Sequence, residues 1–97
     1  MLNIGLLYGG RSGEHDVSRC SAASVASNLD PSKYRVIAVG IDREGRWHVQ
    51  PRVKILDDPD FGKVLALENS GNWAVTHYEN GGKLGVFDRD SGNEVWL

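Results

Sequence analysis

The chain has 97 residues, of which 40% are hydrophobic and 25% charged, as expected of one small globular domain with a modest core. Its formal net charge is -2 and its basic and acidic residues are interspersed, so nucleic acid is not an expected partner. We recognise neither a long apolar segment nor a signal peptide, and we therefore expect no membrane span and a cytoplasmic location.

The first predicted element is a β-strand. The opening letters, MLNIGLLYG, are almost continuously apolar, and Asn3 is the one strongly polar interruption before Tyr8. Such a run is typical of a strand that is covered on both faces, as in a parallel sheet. Gly9 and Gly10 end the strand.

A helix is predicted from Ser12 to about Asn28. The N-cap is assigned to Ser12 or Gly13, which places Glu14 and Asp16 in the first turn, where the helix dipole favours negative charge. The proline in NLDPS ends the helix. Most of the other residues are Ala or Ser, and the positions that recur at helical spacing are Val17, Cys20 or Ser21, Ser24, Val25 and Asn28 or Leu29.

A second buried strand is predicted in KYRVIAVGID, because Val36 to Val39 is apolar without alternation. Strand, helix and strand form a βαβ unit, whose crossover is right-handed. The letters DREG form a turn, after which RWHVQ returns as a short strand with Trp47 and Val49 on one face and Arg46 and His48 on the other. We expect this strand to pair with the second one, at the edge of the sheet.

The second half of the chain predicts short strands separated by turns. KILDDPDFGKVLALEN combines a loop with one apolar run, Val64–Leu67. NGG joins Trp73–Tyr78 to Lys83–Phe87 as a hairpin, and EVWL forms a last strand. A doubly wound domain needs a further buried strand with its helix, so we expect this chain to be a piece of a longer protein. The expected class is α/β, a truncated βαβ parallel sheet with hairpins added in the second half.

The glycine-rich loop GGRSGEHD is the candidate functional feature, because ligands of open α/β sheets bind where a strand meets a helix. One interpretation is dinucleotide binding. Gly10 and Gly13 match the second half of G-x-G-x-x-G, and Asp42 ends the second strand, where a ribose-binding acid would lie. However, the first glycine of that pattern falls at Tyr8, and Glu14 would repel a pyrophosphate. A P-loop is excluded because no lysine lies near the loop.

A different interpretation makes Glu14 itself the functional group. The helix dipole favours a charged carboxylate at the loop–helix junction, and that carboxylate can receive the ammonium group of an amino acid. The plainer alternative is that Glu14 and Asp16 only satisfy the helix start, where acids are common and contribute about 0.3–1 kcal/mol each. The residues alone leave both alternatives open.

The letters YGGRSGEHDVSRCSA closely resemble the opening of the D-alanine–D-alanine ligases, a strand followed by Gly-Gly-x-Ser-x-Glu-His/Arg-Glu-Val-Ser and a Ser/Ala-rich helix. The chain departs from that pattern at Asp16, where the family usually has Glu. VIAVGIDREGRWHV resembles the family's second strand and hairpin, so the resemblance covers residues 3–50 well and 51–97 loosely. The matching positions are Gly9, Gly10, Ser12, Glu14, His15, Val17, Ser18 and Ser21.

The resemblance implies that residues 1–97 are the N-terminal substrate-binding domain, with a Rossmann-like (pre-ATP-grasp) fold, of an ATP-grasp ligase. Such an enzyme uses ATP and Mg²⁺ to phosphorylate the carboxylate of one D-alanine. The amine of a second D-alanine then attacks this acylphosphate, and the dipeptide enters peptidoglycan precursors. ATP and Mg²⁺ are implied to bind to central and C-terminal domains that this chain lacks, so it is expected to be inactive alone. A homodimer through this domain is also implied.

The resemblance further assigns individual residues. Glu14 matches the catalytic-site acid that contacts the ammonium group of the first D-alanine, and Val17 matches the residue near that substrate's methyl group. Ser18 is expected to bind substrate indirectly, by fixing the loop. The loop scaffold consists of Gly9, Gly10 and Ser12.

The histidines and the cysteine receive structural roles. Cys20 is the single cysteine, which excludes an internal disulfide, and we expect it to be a small core residue. His15, His48 and His77 are too widely spaced to predict a metal site in this chain. Neither His48 nor His77 matches the histidine that the family places near the first substrate, after the end of this chain.

We expect Tyr8 and Arg11 to make packing and solvent contacts, Asp42 to serve the turn, and the three tryptophans to anchor hairpins and core. Two further function classes stay open. One is a small nucleotide-binding Rossmann-like module, and the other is a non-catalytic interaction domain.

Overall fold

One helix and eight strands make up the part of the chain that the computed structural model describes, residues 2–71, 73–77, 84–92 and 94–96. Their bounds are β1 Leu2–Gly9, α1 His15–Asn28, β2 Tyr34–Ile41, β3 Trp47–Val49, β4 Ile55–Asp58, β5 Gly62–Leu65, β6 Trp73–His77, β7 Leu84–Asp88 and β8 Glu94–Trp96. No helix in these ranges is long and apolar enough to cross a membrane.

The first half forms the βαβ unit that the sequence predicts. β1 and β2 pair in parallel along their whole length, from Leu2 opposite Tyr34 to Gly9 opposite Ile41, and α1 connects them. The larger sheet has the strand order β1-β2-β3-β6-β7-β8, and every pair beyond β2 is antiparallel. The described sheet is therefore mixed, with its parallel part confined to the first two strands.

The position of β3 differs from the sequence-based expectation. β3 does pair with β2, with Val49 opposite Val39 and Trp47 opposite Ile41. However, β6 pairs with its other side where Trp73 lies opposite Trp47, so β3 lies inside the sheet and not at its edge. β1 lies at one edge of the sheet instead. The sequence could not predict this, because an apolar run does not show how many strands pair with it.

β1 is covered on one face only, contrary to the prediction. Leu6 and Tyr8 point toward α1 and pack with Ala22 and Ala23. On the other face Leu7 is 40% exposed. The one helix among the described residues lies on a single face of the parallel pair, so an unbroken apolar run here does not mean burial on both sides.

The helix has the predicted period but a different phase. Its buried residues are His15, Ala22 and Ala23, whereas Val17 and Val25 are 44% and 46% exposed. The physical reason is size: alanines let the helix backbone lie close against β1 and β2, and valines in those positions would hold it away. The expected apolar stripe through Val17 and Val25 is therefore wrong.

The segment that follows β3 contains a hairpin where the sequence analysis expected a loop and one apolar run. β4 and β5 pair from Ile55 opposite Leu65 to Asp58 opposite Gly62, as a separate two-stranded sheet. Asp58 closes the turn by accepting hydrogen bonds from the N–H groups of Asp60 and Phe61. The hairpin packs on α1, and Leu65 joins the cluster of Tyr8, Ala22 and Ala23.

The second cluster lies on the strands of the larger sheet and consists of Val39, Val49 and Val86. The predicted hairpin is present as the antiparallel pair of β6 and β7, although its turn, residues 78–83, lies outside the described residues. Trp47 and Trp73 pack against this cluster, in agreement with their expected role as anchors. The side chain of Trp96 lies outside the described part.

Gly40 tests the packing of β2 under the segment that follows β5. A Cβ added at Gly40 would overlap the side chain of Leu67, so we expect Gly40→Ala to lower the free energy of unfolding by about 1–3 kcal/mol. Urea denaturation measures this change. Gly13→Ala is the matched control, because a Cβ at Gly13 meets nothing within 4 Å and its φ is ordinary. Equal stability of the two variants would contradict the packing argument.

Candidate functional site

The loop between β1 and α1 is shaped by two glycines with positive φ, 93° at Gly9 and 104° at Gly10. A Cβ at Gly9 would overlap the carbonyl oxygen of Ile41, so no other residue fits there without movement. The Gly10 N–H donates to that same Ile41 carbonyl at 2.8 Å, and the Gly9 N–H donates to the Ser18 hydroxyl at 3.1 Å. The loop is therefore tied both to β2 and to the first turn of the helix.

The helix begins later than predicted. Glu14 is the N-cap and makes no side-chain capping bond, so the assignment to Ser12 or Gly13 is wrong and Asp16 is the acid of the first turn. Ser12 still satisfies the helix start, but from one position outside it. Its hydroxyl accepts the Glu14 N–H at 3.2 Å, and its carbonyl accepts the His15 N–H, also at 3.2 Å.

Glu14 presents its carboxylate to solvent at this junction. Among the residues that the structure describes, none donates a hydrogen bond or forms an ion pair with that carboxylate. Val17, three positions later and exposed, lies on the same side of the helix start. An acid beside a small apolar side chain is suited to an ammonium group that carries a small apolar substituent.

His15 is a loop-fixing residue that the sequence analysis matched only as a motif letter. Its ring is buried, and Nδ1 lies 2.7 Å from the Gly10 carbonyl, to which it donates. The ring also stands against Gly9, where it would meet an added Cβ at 3.1 Å. The histidine therefore closes the loop from inside and does not face the solvent-exposed side that carries Glu14.

The turn between β2 and β3 contacts the loop in ways that the sequence analysis missed. The Arg11 guanidinium donates to the Glu44 carbonyl from Nε at 2.9 Å and from Nη2 at 2.7 Å. Arg43 Nη2 lies 2.8 Å from Asp16 Oδ2. Desolvation raises the pKa of Asp16, but the hydrogen bonds and charges of its arginine neighbours outweigh it, so this pKa lies below the usual range.

Asp42 is fully engaged by the turn itself. Its Oδ1 accepts the N–H groups of Glu44 and Arg46, each at 2.9 Å, and its Oδ2 lies 2.8 Å from His48 Nε2. Since His48 Nδ1 accepts the Ser70 N–H, the proton of the neutral ring is on Nε2. These bonds make Asp42 a turn residue, as expected, and engage both of its carboxylate oxygens within the chain.

Four main-chain donors of the loop and helix start are already used within the chain. The N–H groups of Gly9, Gly10, Glu14 and His15, which a pyrophosphate would need, already donate within the chain. In the same described ranges no group of three His, Cys, Asp or Glu side chains is placed to hold a metal ion. We therefore assign no step involving ATP or Mg²⁺ to these residues.

The remaining candidates are structural where they are described. Tyr8 is buried and donates to the Ala66 carbonyl at 2.6 Å, and burial raises its pKa to about 12 against a smaller lowering by the charge of Arg19. Cys20 is partly buried, and its thiol donates to the Phe61 carbonyl at 3.4 Å. The side chain of His77 lies outside the described part.

The predicted site residues lie on an open surface. Two clefts of about 280 and 220 Å³ lie around Gln50, Pro51 and Arg52, and neither is lined by Glu14, Val17 or Ser18. The loop and helix start bring these three residues together on one side of the βαβ unit.

Comparison with known proteins matches residues 3–90 to a family described as "D-ala D-ala ligase N-terminus". The chain is 54% identical to "D-alanine--D-alanine ligase A" of Mesorhizobium japonicum over 74 residues, which are 70% of this chain and 21% of that protein. It is 35% identical to the protein of the same name from Chromobacterium violaceum over 86 residues, 86% of this chain and 23% of the relative. The corresponding Escherichia coli protein is 41% identical over 69 residues, 71% and 19% of the two chains.

A solved structure with a similar fold is the VanG D-Ala:D-Ser ligase from Enterococcus faecalis. The TM-score is 0.51 at 21% sequence identity, and the match covers 71% of this chain and 26% of that one. At this identity the likeness concerns the fold alone. The chain spans about a fifth of the length of these curated relatives and about a quarter of the structural neighbour.

Asp42 gives the site a predictable response to acid. Desolvation raises its pKa, but the hydrogen bonds from His48, Arg46 and Glu44 outweigh it, so the pKa in the folded chain lies below the ordinary 3.8. The unfolded chain thus takes up this proton at a higher pH than the folded chain. The stability that Asp42 contributes is present above about pH 4 and is lost as the pH falls through the lower folded value.

We therefore expect Asp42→Asn to have a lower urea midpoint of unfolding than the parent at about pH 6. On acidification to about pH 3, the urea midpoint of this variant should fall less than that of the parent. Asp16 and Asp30, whose pKa values are also lowered, remain in both proteins and account for the dependence that is left. Asp60→Asn, which changes an exposed aspartate, is the control and should follow the parent. Parallel curves for the parent and Asp42→Asn would contradict the argument.

Proposed function

This chain belongs to the family of D-ala D-ala ligase N-termini, and from that premise we propose that it is the N-terminal substrate-binding domain, residues 1–97, of a D-alanine–D-alanine ligase. The relatives that carry this name in Mesorhizobium japonicum, Chromobacterium violaceum and Escherichia coli support the proposal. Because the chain spans about a fifth of their length, the proposed activity is that of a longer protein.

The observation that carries the proposal is the exposed carboxylate of Glu14, at the end of a loop that Gly9, Gly10 and Ser18 hold in place. The Glu14 carboxylate has no partner among the described residues, whereas the N–H groups of Gly9, Gly10, Glu14 and His15 each donate within the chain. A free carboxylate held in this way would receive the ammonium group of the first D-alanine through charge-assisted hydrogen bonds. In this arrangement the carboxylate of the amino acid, where the reaction takes place, points away from Glu14.

The neighbours of Glu14 complete the proposed wall. Val17 would contact the methyl group of the same D-alanine, because it is exposed one turn after Glu14. Ser18 would act indirectly, by accepting the Gly9 N–H and so holding the loop against the helix. Gly9, Gly10 and Ser12 are the proposed scaffold.

ATP and Mg²⁺ enter this proposal as groups bound elsewhere in the full-length protein. ATP supplies the phosphoryl group that activates the first D-alanine as an acylphosphate, and Mg²⁺ supplies charge neutralisation. The residues of this chain bind and orient the amino acid only, so we propose that the chain alone is inactive. The full-length protein would work in the cytoplasm and supply dipeptide to peptidoglycan precursors.

The proposed fold of the complete domain is Rossmann-like, of the pre-ATP-grasp kind, with the β1–α1–β2 unit as its beginning. The parallel pairing of β1 with β2 and the helix between them support this proposal. The alternative of a nucleotide-binding module has less support, because the N–H groups of Gly9 and Gly10 and both carboxylate oxygens of Asp42 already make hydrogen bonds within the chain.

We also propose that the full-length protein is a homodimer through this domain, since β1 is the last strand of the described sheet on its side and exposes Leu2 and Leu7. Sedimentation of the full-length protein should give twice the monomer mass. Leu7→Asn should lower the association constant, whereas Val53→Asn, an exposed apolar residue on another part of the surface, should not. A strict monomer at high concentration would contradict the dimer and leave the ligase proposal standing.

Glu14→Gln in the full-length protein tests the ammonium contact. We expect the KM for the first D-alanine to rise roughly 10- to 100-fold, because a charge-assisted hydrogen bond becomes a neutral one. Steady-state assays of ADP release at saturating ATP measure this effect. The helix cap should not change, because Glu14 makes no side-chain capping bond.

Glu94→Gln is the matched control, because it makes the same chemical change at an exposed glutamate on β8. This variant should keep the parent KM for both amino acids and for ATP. An unchanged KM in Glu14→Gln would remove the role proposed for Glu14. An increase in the KM for ATP alone would point instead to a nucleotide contact.

A further inference from the structure

The turn between β2 and β3, Asp42–Arg46, holds the segment that carries Glu14 on both sides. Arg11, three residues before Glu14, donates two hydrogen bonds to the Glu44 carbonyl. Asp16, two residues after Glu14, pairs with Arg43 of the same turn. Glu14 itself contacts no described residue of the turn through its carboxylate, so the turn acts only on the backbone around it.

The geometry of the Arg11 contact depends on Gly45. The guanidinium lies across Gly45, where an added Cβ would stand 2.6 Å from Nε, and Gly45 has a φ of 87°. Glycine is therefore needed at this position both for the backbone conformation and for the room that it leaves to Arg11. Two donors on one carbonyl define a direction as well as a distance, which a single flexible contact does not.

The second contact is part of a chain of charges that reaches the core. Asp16 lies between Arg43, at 2.8 Å, and Arg19, at 3.3 Å. Arg19 in turn donates from Nε to the Leu65 carbonyl at 2.9 Å, on the strand β5 that packs against α1. The carboxylate of Asp16 thus connects the turn, the first turn of the helix and the β4–β5 hairpin.

The turn is rigid enough to serve as an anchor. The Asp42 N–H donates to the Arg46 carbonyl at 2.9 Å, and the Gly45 N–H donates to the Asp42 carbonyl at 3.0 Å. The Asp42 carboxylate adds the N–H groups of Glu44 and Arg46 and the ring of buried His48. The Glu44 carbonyl that Arg11 reaches and the main chain that carries Arg43 are therefore held to β2 and β3.

We propose that Arg11 and Arg43 are positioning residues that aim the Glu14 carboxylate at the ammonium group of an amino acid substrate, by clamping residues 11–16 to the β2–β3 turn. This inference rests on the proposed function of Glu14. An exposed side chain with no partner of its own takes its direction from the backbone that carries it. A loss of about 1 Å in placement is enough to weaken a contact that depends on geometry.

The test uses the full-length ligase with Arg11→Met and, separately, Arg43→Gln. Each variant should raise the KM for the first D-alanine about 3- to 10-fold, with kcat and the KM for ATP within about twofold of the parent. Arg11→Lys keeps the charge and can donate to the Glu44 carbonyl from a single nitrogen, so it should recover part of the loss. Arg52→Met is the matched control, because Arg52 is an exposed arginine beside Gln50 and Lys54, and it should change nothing.

The same substitutions are then made in Glu14→Gln. If the arginines act through Glu14, they should add no further increase in KM once its charge is gone. A full additional increase in that background would overturn the proposal, because the arginines would then act on the substrate by another route. So would an unchanged KM in both arginine variants when Glu14→Gln alone raises it.

Gly45→Ala provides a second variant in case a substituted arginine destabilises the protein. This substitution displaces Arg11 with no change of charge. Comparing the thermal midpoint of the variant with that of the parent shows whether the variant is still folded. It should raise the same KM as Arg11→Met, and a parent value in the folded variant would count against the clamp. If Glu14→Gln leaves the KM unchanged, the proposed function fails first, and the positioning role fails with it.

Discussion

The close approach of Gly9 to the carbonyl of Ile41 is the constraint on which the described site depends. At that point the end of β1 must leave the sheet with no room for a side chain, pass beneath the ring of His15 and enter the helix. Gly10 bonds to the same carbonyl, so the two parallel strands end together. Glu14 is exposed to solvent because Gly9 and Gly10 turn the chain away from the sheet before the helix begins.

The polar side chains near this loop make two sets of contacts. The side chains of Ser12, Ser18 and His15 bond to main-chain groups of the loop and the helix start, and so close the loop. Arg11 and Asp16 contact the β2–β3 turn, and so connect the loop and the helix to that turn. The Glu14 carboxylate takes part in neither set of contacts among the described residues, and its proposed role in substrate binding rests on this.

Much of this could be predicted, and the misses have physical causes. The βαβ unit, the β2–β3 hairpin and the glycine loop follow from apolar runs and turn residues. The phase of α1 did not follow, because Ala and Ser carry little hydrophobic signal and the two exposed valines carry more. The contact of Arg11 with Glu44 could not be predicted either, since its acceptor is a main-chain carbonyl that any residue offers. The substrate-binding role of Val17 rests on the resemblance alone, and that of Glu14 rests on the resemblance and on its place at the helix start. Both remain predictions.

The alanine face of α1 has a consequence for how such a domain can change over evolutionary time. Folding constrains the inner side, where Ala22 and Ala23 admit almost no larger residue. The outer side, with Val17 and Val25, carries little of the packing. Under the proposed role of Val17 in substrate binding, selection for a stable fold and selection for a ligand act on opposite sides of one helix. The outer positions can then change while the core stays intact.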